Sequence, residues 1–386
     1  MTETRRWFSV AAFTLCIAAG CRPGPATAQS VPRVTLGFGV DTLSAAWSEA
    51  AWHSSVPAIY RAWSEYLANE PSLLRPNPRW SPAEQERWIA YDLVRGVAYH
   101  GAPATVVDIR PAPGADEFVV RTLFARASAT GDVRPIALTR AYAFREDGRW
   151  VFGNALPRLT ADWERTRIGP IEYVMEPGRA LERRRAERLL AFADSVATSF
   201  DVPRLEALTY YVASTPEGLH RAMGVDWTFG GIGYGYAVPA NDLILSGDPV
   251  AGEENRHEMV HILLAPITAM QPTHGLINEG VATWYGGSSG RTRPELLQEY
   301  ADYLATRPEI GLDVILEDNI PDRGWNVAGA VVVDLVQEQG GIEAIRELFG
   351  AGRSNEQLRS ALSEALGMPW ASVLTAWRER VLGNGP

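Results

Sequence analysis

The chain has 386 residues, of which 46% are hydrophobic, and a net charge of −10. This apolar content can bury two cores of ordinary size. The negative charge argues against nucleic acid or an anionic membrane surface as a partner, and because all 36 basic residues are arginines, chemistry that needs a lysine is excluded.

Residues 1–28 are predicted to be a signal peptide. Arg5-Arg6 precede an apolar stretch that ends at Gly20 and is shorter than a membrane span. Two cleavage sites remain open: a lipobox that ends at Cys21 and would give a lipid anchor there, and an A-x-A site after Ala28. Both predict export, either as a periplasmic or outer-membrane lipoprotein or as a secreted protein. No cysteine follows Cys21, so the folded part is predicted to contain no disulfide.

Residues 31–165 are predicted to form an α+β domain. Apolar positions spaced by three and four indicate a helix within 41–69, and Ser81-Pro82 begins a second helix predicted to run to about Tyr99. Asp147-Gly148 predicts a tight hairpin turn. The predicted strands are Ala104–Arg110, Glu117–Ala127, Ile136–Glu146 and Trp150–Leu156. Two helices followed by a curved antiparallel sheet resemble the NTF2-like architecture, although no family motif is present.

The tryptophans of this domain have two interpretations, as the lining of a ligand pocket or as core. Helical spacing of large aromatic residues favours the core. The residues concerned are Trp47, Trp52, Trp63, Trp80 and Trp88.

Residues 172–386 are predicted to form a second domain with a small sheet and a helical C-terminal lobe. A helix is expected over 180–199 and a strand over Leu208–Ala213, followed by a hairpin of Tyr236–Val238 and Leu243–Leu245. Asp248-Pro249 is expected to cap the next helix. The later helices are expected at 294–305, 326–339, 342–349, 355–366 and 370–381.

The strongest motif is His257-Glu258-Met259-Val260-His261. Residues four apart share one face of a helix, so the two imidazoles can bind one metal ion. Glu279, in the apolar segment that follows, can supply a third ligand, and Glu258 can reach a water on the metal. Two histidines and a carboxylate leave one position of a tetrahedral Zn²⁺ open, which is the catalytic arrangement. The alternative is a surface helix with two solvated histidines.

HExxH followed by Asn278-Glu279-Gly280-Val281-Ala282 resembles the gluzincin zinc metallopeptidases, in particular the peptidase MA-like group, with similarity to the catalytic core of M1 aminopeptidases and thermolysin. The resemblance covers about residues 175–386. It implies a gluzincin-like fold with His257, His261 and Glu279 as zinc ligands and Glu258 as general base. It also implies that an edge of the sheet beside the metal pairs with a peptide or protein substrate.

The chain departs from this pattern in two places. The gluzincin tyrosine that stabilises the oxyanion corresponds to Trp325, so Tyr234, Tyr236, Tyr285 or His274 would have to donate instead. The amine-binding GxMEN segment of M1 aminopeptidases is missing. The primary prediction is therefore an exported zinc metallopeptidase, and the alternatives are an inactive zinc-containing binding protein and a module whose N-terminal domain carries the function. Neither cleavage specificity nor oligomeric state is predicted.

Overall fold

The computed structural model describes residues 34–36, 50–68, 76–94, 102–112, 116–127, 133–229, 233–318 and 324–383. The fold is mixed α+β with separate sheets, as predicted at the level of class. The chain divides into two compact units. We call residues 22–163 with 217–233 the N-terminal unit, and residues 164–216 with 234–386 the C-terminal unit. The predicted signal peptide lies outside the described residues.

The N-terminal unit is built on a largely antiparallel sheet. Its strands are β1 Val34–Leu36, β2 Ala104–Pro111, β3 Phe118–Ala127, β4 Val133–Glu146, β5 Arg149–Gly153 and β9 Val225–Thr228. They follow the order β1-β2-β3-β4-β5, and β9 pairs with β4 beyond the end of β5. The strands predicted between 104 and 156 are confirmed within a few residues, whereas β9 was not predicted.

The turn between β4 and β5 is the predicted two-residue hairpin. Glu146 pairs with Arg149, and Asp147 and Gly148 between them have φ angles of 50° and 75°. Positive φ at both central residues matches the twist of the flanking strands, and aspartate and glycine tolerate it better than most residues.

The helices of this unit are α1 Ala50–Ala68, α2 Pro82–Arg87, α3 Leu156–Leu159 and α5 Pro216–Met223. The prediction that α2 continues to about Tyr99 is wrong over the described residues, because the chain is already extended at Trp88. The Asn154 amide accepts from the Leu93 N–H and also donates to the Tyr91 carbonyl. These bonds satisfy backbone groups that a helix would have used.

The tryptophan side chains that the structure describes are core. Trp63, Trp80 and Trp88 are all at most 4% exposed. The Trp63 ring packs 4.7 Å from Phe152, and its indole nitrogen donates to Thr122. The core interpretation is therefore confirmed for these three, whereas Trp47 and the Trp52 side chain lie outside the described residues. The NTF2-like resemblance stays a prediction.

The C-terminal unit contains a mixed sheet. Its strands are β6 Glu164–Ile168, β7 Ile171–Met175, β8 Leu208–Val212, β10 Gly235–Val238 and β11 Leu243–Ser246, in the order β10-β11-β8-β7-β6. Among the described strands β10 therefore lies at an edge. The β6–β7 hairpin was not predicted: its turn is Gly169-Pro170, with φ of +56° at the glycine, which suits a two-residue hairpin loop.

Helices complete the C-terminal unit and bury a single apolar cluster with the sheet. They are α4 Arg183–Ser199, α6 Arg256–Thr268, α7 Gly275–Gly286, α8 Arg293–Ala305, α9 Leu312–Asp318, α10 Trp325–Leu348, α11 Asn355–Ala365 and α12 Trp370–Gly383. A non-helical Gly341 breaks α10, close to the predicted boundary between two helices. Among the described helices, none is both long and apolar enough to cross a membrane.

Candidate metal centre

The side chains predicted as metal ligands come together in the C-terminal unit. His257 and His261 lie one turn apart on α6, and Glu279 lies on α7. The Nε2 atom of His257 is 3.2 Å from Nε2 of His261 and 3.2 Å from Oε2 of Glu279. Nε2 of His261 is 3.5 Å from Oε1 of Glu279. Both imidazoles are buried, and the Glu279 side chain is 13% exposed.

These distances fit one tetrahedral metal ion. Nitrogen and oxygen ligands at 2.0–2.2 Å from a tetrahedral Zn²⁺ lie about 3.4 Å from one another. The two nitrogens lie 3.2 Å apart, and each lies 3.2–3.5 Å from one carboxylate oxygen of Glu279, Oε2 for His257 and Oε1 for His261. His257, His261 and Glu279 therefore form a group that could bind a metal.

The His257 ring is oriented by the loop after α7. Its Nδ1 lies 2.9 Å from the carbonyl oxygen of Gly287. A carbonyl accepts only, so Nδ1 donates this hydrogen bond, and Nε2 is the ring nitrogen that could bind a metal. Gly286 permits this approach, because a Cβ there would lie 2.6 Å from the backbone of Arg256 and His257.

His257 and Glu279 each shift the pKa of the other. Burial alone would lower the pKa of His257, but the hydrogen bond and charge of Glu279 raise it to about 9. Burial alone would raise the pKa of Glu279, yet His261 and His257 hold it well below its ordinary value. The carboxylate is therefore ionised across the neutral pH range, as a metal ligand must be.

Glu258 lies beside the ligand group and is not part of it. The backbone N–H of Ala237, on edge strand β10, donates a hydrogen bond to its carboxylate, while burial raises its pKa. Gly235 of the same strand leaves room for it, because a Cβ there would lie 3.0 Å from Oε1 of Glu258. A half-buried carboxylate with a raised pKa has the properties of a general base.

The start of α6 is capped by a residue that the sequence analysis missed. The Asn255 side chain accepts from the Glu258 N–H at 3.3 Å. The predicted cap, Asp248-Pro249, is wrong: Asp248 instead accepts from the N–H groups of Val250 and Ala251, in a turn that precedes the helix. Asparagine is among the preferred N-cap residues, so its position directly before Arg256 was the available signal.

Buried hydroxyl groups hold the segment before α6. Tyr210, on β8, donates to the Gly252 carbonyl at 2.6 Å and accepts from the Asn255 N–H at 3.1 Å. Tyr173, on β7, donates to the Glu253 carbonyl. The sheet therefore fixes where the helix that carries His257 and His261 begins.

Glu279 is positioned by a close crossing of α7 and α10. A Cβ on Gly280 would lie 2.4 Å from the carbonyl carbon of Gly329, and one on Gly329 would lie 2.3 Å from the Leu276 carbonyl oxygen. The two glycines let the backbones meet directly. The glycine of the NEGxA segment thus has a packing role next to a candidate ligand.

His274 caps α7 and is not available to a substrate. Its Nδ1 accepts from the Leu276 N–H at 3.1 Å, and its Nε2 lies 3.2 Å from Oδ1 of Asn355. Both ring nitrogens are thus engaged in structural hydrogen bonds. The suggestion that His274 stabilises an oxyanion is wrong for this structure.

Trp325 is also unsuited to stabilise an oxyanion in its present conformation. The residue begins α10 and its ring stacks on His274, with centroids 6.1 Å apart. Its indole nitrogen is buried and has no hydrogen-bond partner in the part of the chain that the structure describes. A donor sealed from solvent in this way cannot reach a bound substrate without a side-chain movement.

The tyrosines suggested as alternatives lie in different settings. Tyr285 packs against Phe200 with ring centroids 5.3 Å apart, and burial raises its pKa to about 12. Tyr234 is 49% exposed, and Tyr236 lies on edge strand β10. Of the three, only Tyr236 shares a strand with the groups that contact Glu258.

Searches against protein families and curated proteins found no match. Among solved structures, the chain is similar to the crystal structure of an M1 zinc metallopeptidase from Deinococcus radiodurans. The identity is 14%, the match covers 74% of this chain and 64% of that chain, and the TM-score is 0.34. The site is therefore argued from its own geometry.

Proposed function

We propose that the protein is an exported zinc-dependent metallopeptidase. The observation that supports this most strongly is that the Nε2 atoms of His257 and His261 lie 3.2 Å apart and each within 3.5 Å of an oxygen of Glu279, while Glu258 lies beside the group. Two histidines and one carboxylate match a catalytic rather than a structural zinc site, because one tetrahedral position is left for water or substrate.

The residues of the site would divide the reaction between them. Zinc, when bound, lowers the pKa of a water molecule towards about 7 and polarises a carbonyl group. Glu258 would take the proton of the attacking water and return it to the leaving amine. The Ala237 N–H holds the Glu258 carboxylate in place for both transfers.

A peptide is the substrate class that suits the neighbouring strand. β10 pairs only with β11 among the described strands, so the backbone groups of its other edge, apart from the Ala237 N–H that donates to Glu258, can receive an extended chain. Backbone hydrogen bonds to such an edge align a peptide without regard to its sequence. The same strand contacts Glu258, so a peptide bound there would pass the proposed base.

A second candidate is an inactive zinc-containing protein that binds peptides. The sealed indole nitrogen of Trp325 favours it, because oxyanion stabilisation would then need another donor. Both candidates predict bound zinc, so only catalysis separates them.

The deciding experiment compares the wild type with Glu258→Gln on a set of internally quenched peptides. We expect the wild type to cleave, and we expect kcat to fall about 100- to 10,000-fold in the variant, because the base is lost while the ligands remain. Zinc measured by mass spectrometry should stay near one per chain. His261→Ala is the matched control and should lose zinc.

Each other result has a clear meaning. Bound zinc without cleavage by the wild type would favour the inactive binding protein. Equal cleavage by wild type and Glu258→Gln would remove Glu258 as the base. Zinc that is equally bound by His261→Ala would show that the metal lies elsewhere.

Export is proposed from the sequence of residues 1–28. Mass spectrometry of the mature protein would identify its first residue. A lipid-modified Cys21 there would establish the anchored form, whereas Gln29 would establish the released form. A mature chain that retains Met1 would contradict export.

A further inference from the structure

A cavity of about 470 Å³ lies within the C-terminal unit, next to the supports of the metal ligands. Its wall includes Ser288, which directly follows the Gly287 carbonyl that orients His257. The wall also includes Trp325, whose ring stacks on the cap of the helix that carries Glu279. The cavity therefore adjoins residues that support His257 and the helix of Glu279.

The wall is mixed, and five of its eleven residues are aromatic or aliphatic. Tyr300 and Tyr303 of α8 have nearly parallel rings, with centroids 6.2 Å apart and an interplanar angle of 12°. Leu296 of α8, with Trp325 and Val327 of α10, supplies further apolar surface. Flat apolar walls of this kind favour an aromatic guest, which can pack against rings on several sides.

The charged residues of the wall neutralise each other. Arg291 and Glu299 form an ion pair, and both side chains are largely exposed. The pair leaves no excess charge to attract a charged ligand. The guest is therefore expected to be uncharged.

One polar group of the wall belongs to Tyr300. The residue as a whole is only 5% exposed, and its hydroxyl is not among the buried polar atoms of the described residues that lack a partner. A Cβ on Gly324, another wall residue, would lie 2.8 Å from this hydroxyl oxygen. A tyrosine hydroxyl on the wall of a cavity can donate a hydrogen bond to an acceptor of a bound ligand.

We propose that this cavity binds an aromatic side chain of the substrate peptide, with the Tyr300 hydroxyl donating a hydrogen bond to a backbone carbonyl of that peptide. Because this proposal names part of a peptide substrate, it rests on the proposed function. The volume exceeds the lower limit for a small-molecule site and accommodates one large side chain with its peptide group.

The binding experiment uses full-length protein freed of metal with a chelator, so that it does not depend on catalysis. The probes are N-acetyl-phenylalaninamide and N-acetyl-glycinamide, followed by saturation-transfer NMR. Only the phenylalanine probe should bind. Val327→Trp fills the cavity and should abolish binding, whereas Gln298→Trp adds the same bulk to α8 outside the wall and should not.

The activity experiment uses matched peptides that carry either Phe or Gly at one position. The wild type should prefer the Phe peptide about 10-fold or more in kcat/KM, as a filled apolar pocket does. Val327→Trp should remove the preference. Tyr300→Phe should weaken the binding of the phenylalanine probe, because the hydrogen bond is lost while the ring remains.

The inference and the proposed function can fail separately. If the phenylalanine probe binds in the cavity but no peptide is cleaved, the proposed function is overturned and the ligand class of the cavity is supported. If peptides are cleaved but Phe is not preferred, or if Val327→Trp binds the probe like the wild type, the inference is overturned.

Discussion

Tyr210 and Asn255 link the sheet of the C-terminal unit to the first turn of α6. The Tyr210 hydroxyl bridges the Gly252 carbonyl and the Asn255 N–H, and the Asn255 side chain binds the Glu258 N–H. Because Tyr210 is fully buried in an interior strand, the position of the helix start is fixed by the sheet. These residues therefore position the turn of the helix that carries Glu258.

We therefore expect Asn255→Ala to destabilise the fold by about 1 kcal/mol through loss of the cap. It should also lower kcat more than it raises KM, because Glu258 is displaced. Asn255→Ser keeps a capping oxygen and should restore both. Urea unfolding and steady-state kinetics would check this; equal kcat in Asn255→Ala and the wild type would contradict the positioning role.

The candidate site could largely be predicted at the scale of single residues. The spacing of His257 and His261 requires only that α6 be helical, and Glu279 lies in a second apolar helix. Asn255 was missed because Asp248-Pro249 offered a stronger local cap signal. The contacts of Gly287, Gly235 and Tyr210 join residues distant in sequence, and no local pattern encodes them.

Among the helices, the crossing of α7 and α10 sets the position of Glu279. Gly280 and Gly329 bring the two backbones into direct contact, and the Trp284 indole donates to Asp334 farther along the same helices. Glu279 adjoins this contact in sequence. A shift of α10 would therefore move a ligand of the proposed metal.

Gly329→Ala tests this crossing. The new methyl group would meet the Leu276 carbonyl and the Gly280 backbone, neither of which can rotate away. We expect a loss of about 1–3 kcal/mol in the free energy of unfolding and weaker zinc binding, measured by chelator competition. Gly383→Ala is the control, because a Cβ there meets nothing within 4 Å, and it should change neither quantity.

Several elements with clear local signals were predicted correctly. The β4–β5 hairpin follows from Asp147-Gly148, and the break in α10 follows from Gly341. The end of α2 was missed because its cause is remote: Asn154 binds the backbone at Tyr91 and Leu93. The pairing of β9 with β4 is also remote and had no local signal.

At the scale of the whole molecule, the chain returns once to the N-terminal unit. Residues 217–233 belong to that unit although they follow β8 of the C-terminal unit in sequence. The Asp226 carboxylate accepts from Arg121 on β3 and Arg140 on β4. The predicted domain of residues 31–165 therefore lacks one strand of its sheet.

Asp226→Ala in the full chain should destabilise the N-terminal unit by about 1–3 kcal/mol, because two half-buried arginines lose their partner. Amide hydrogen exchange of β4 would report the loss, and zinc content should not change. Asp108→Ala removes a more exposed ion pair on β2 of the same sheet and should cost less than about 1 kcal/mol. Unchanged exchange in β4 after Asp226→Ala would contradict this account.

The returning strand also sets an order of events during synthesis. β5 and β9 both pair with the same edge of β4. β5 ends at Gly153, whereas β9 begins only at Val225, after β6, β7, α4 and β8 have been synthesised. As the ribosome releases the chain from its N-terminus, the first sheet must wait with part of one strand uncovered until residue 228 has emerged. The two units therefore cannot be completed strictly one after the other, and the first strands of the C-terminal unit are present before the N-terminal sheet is complete.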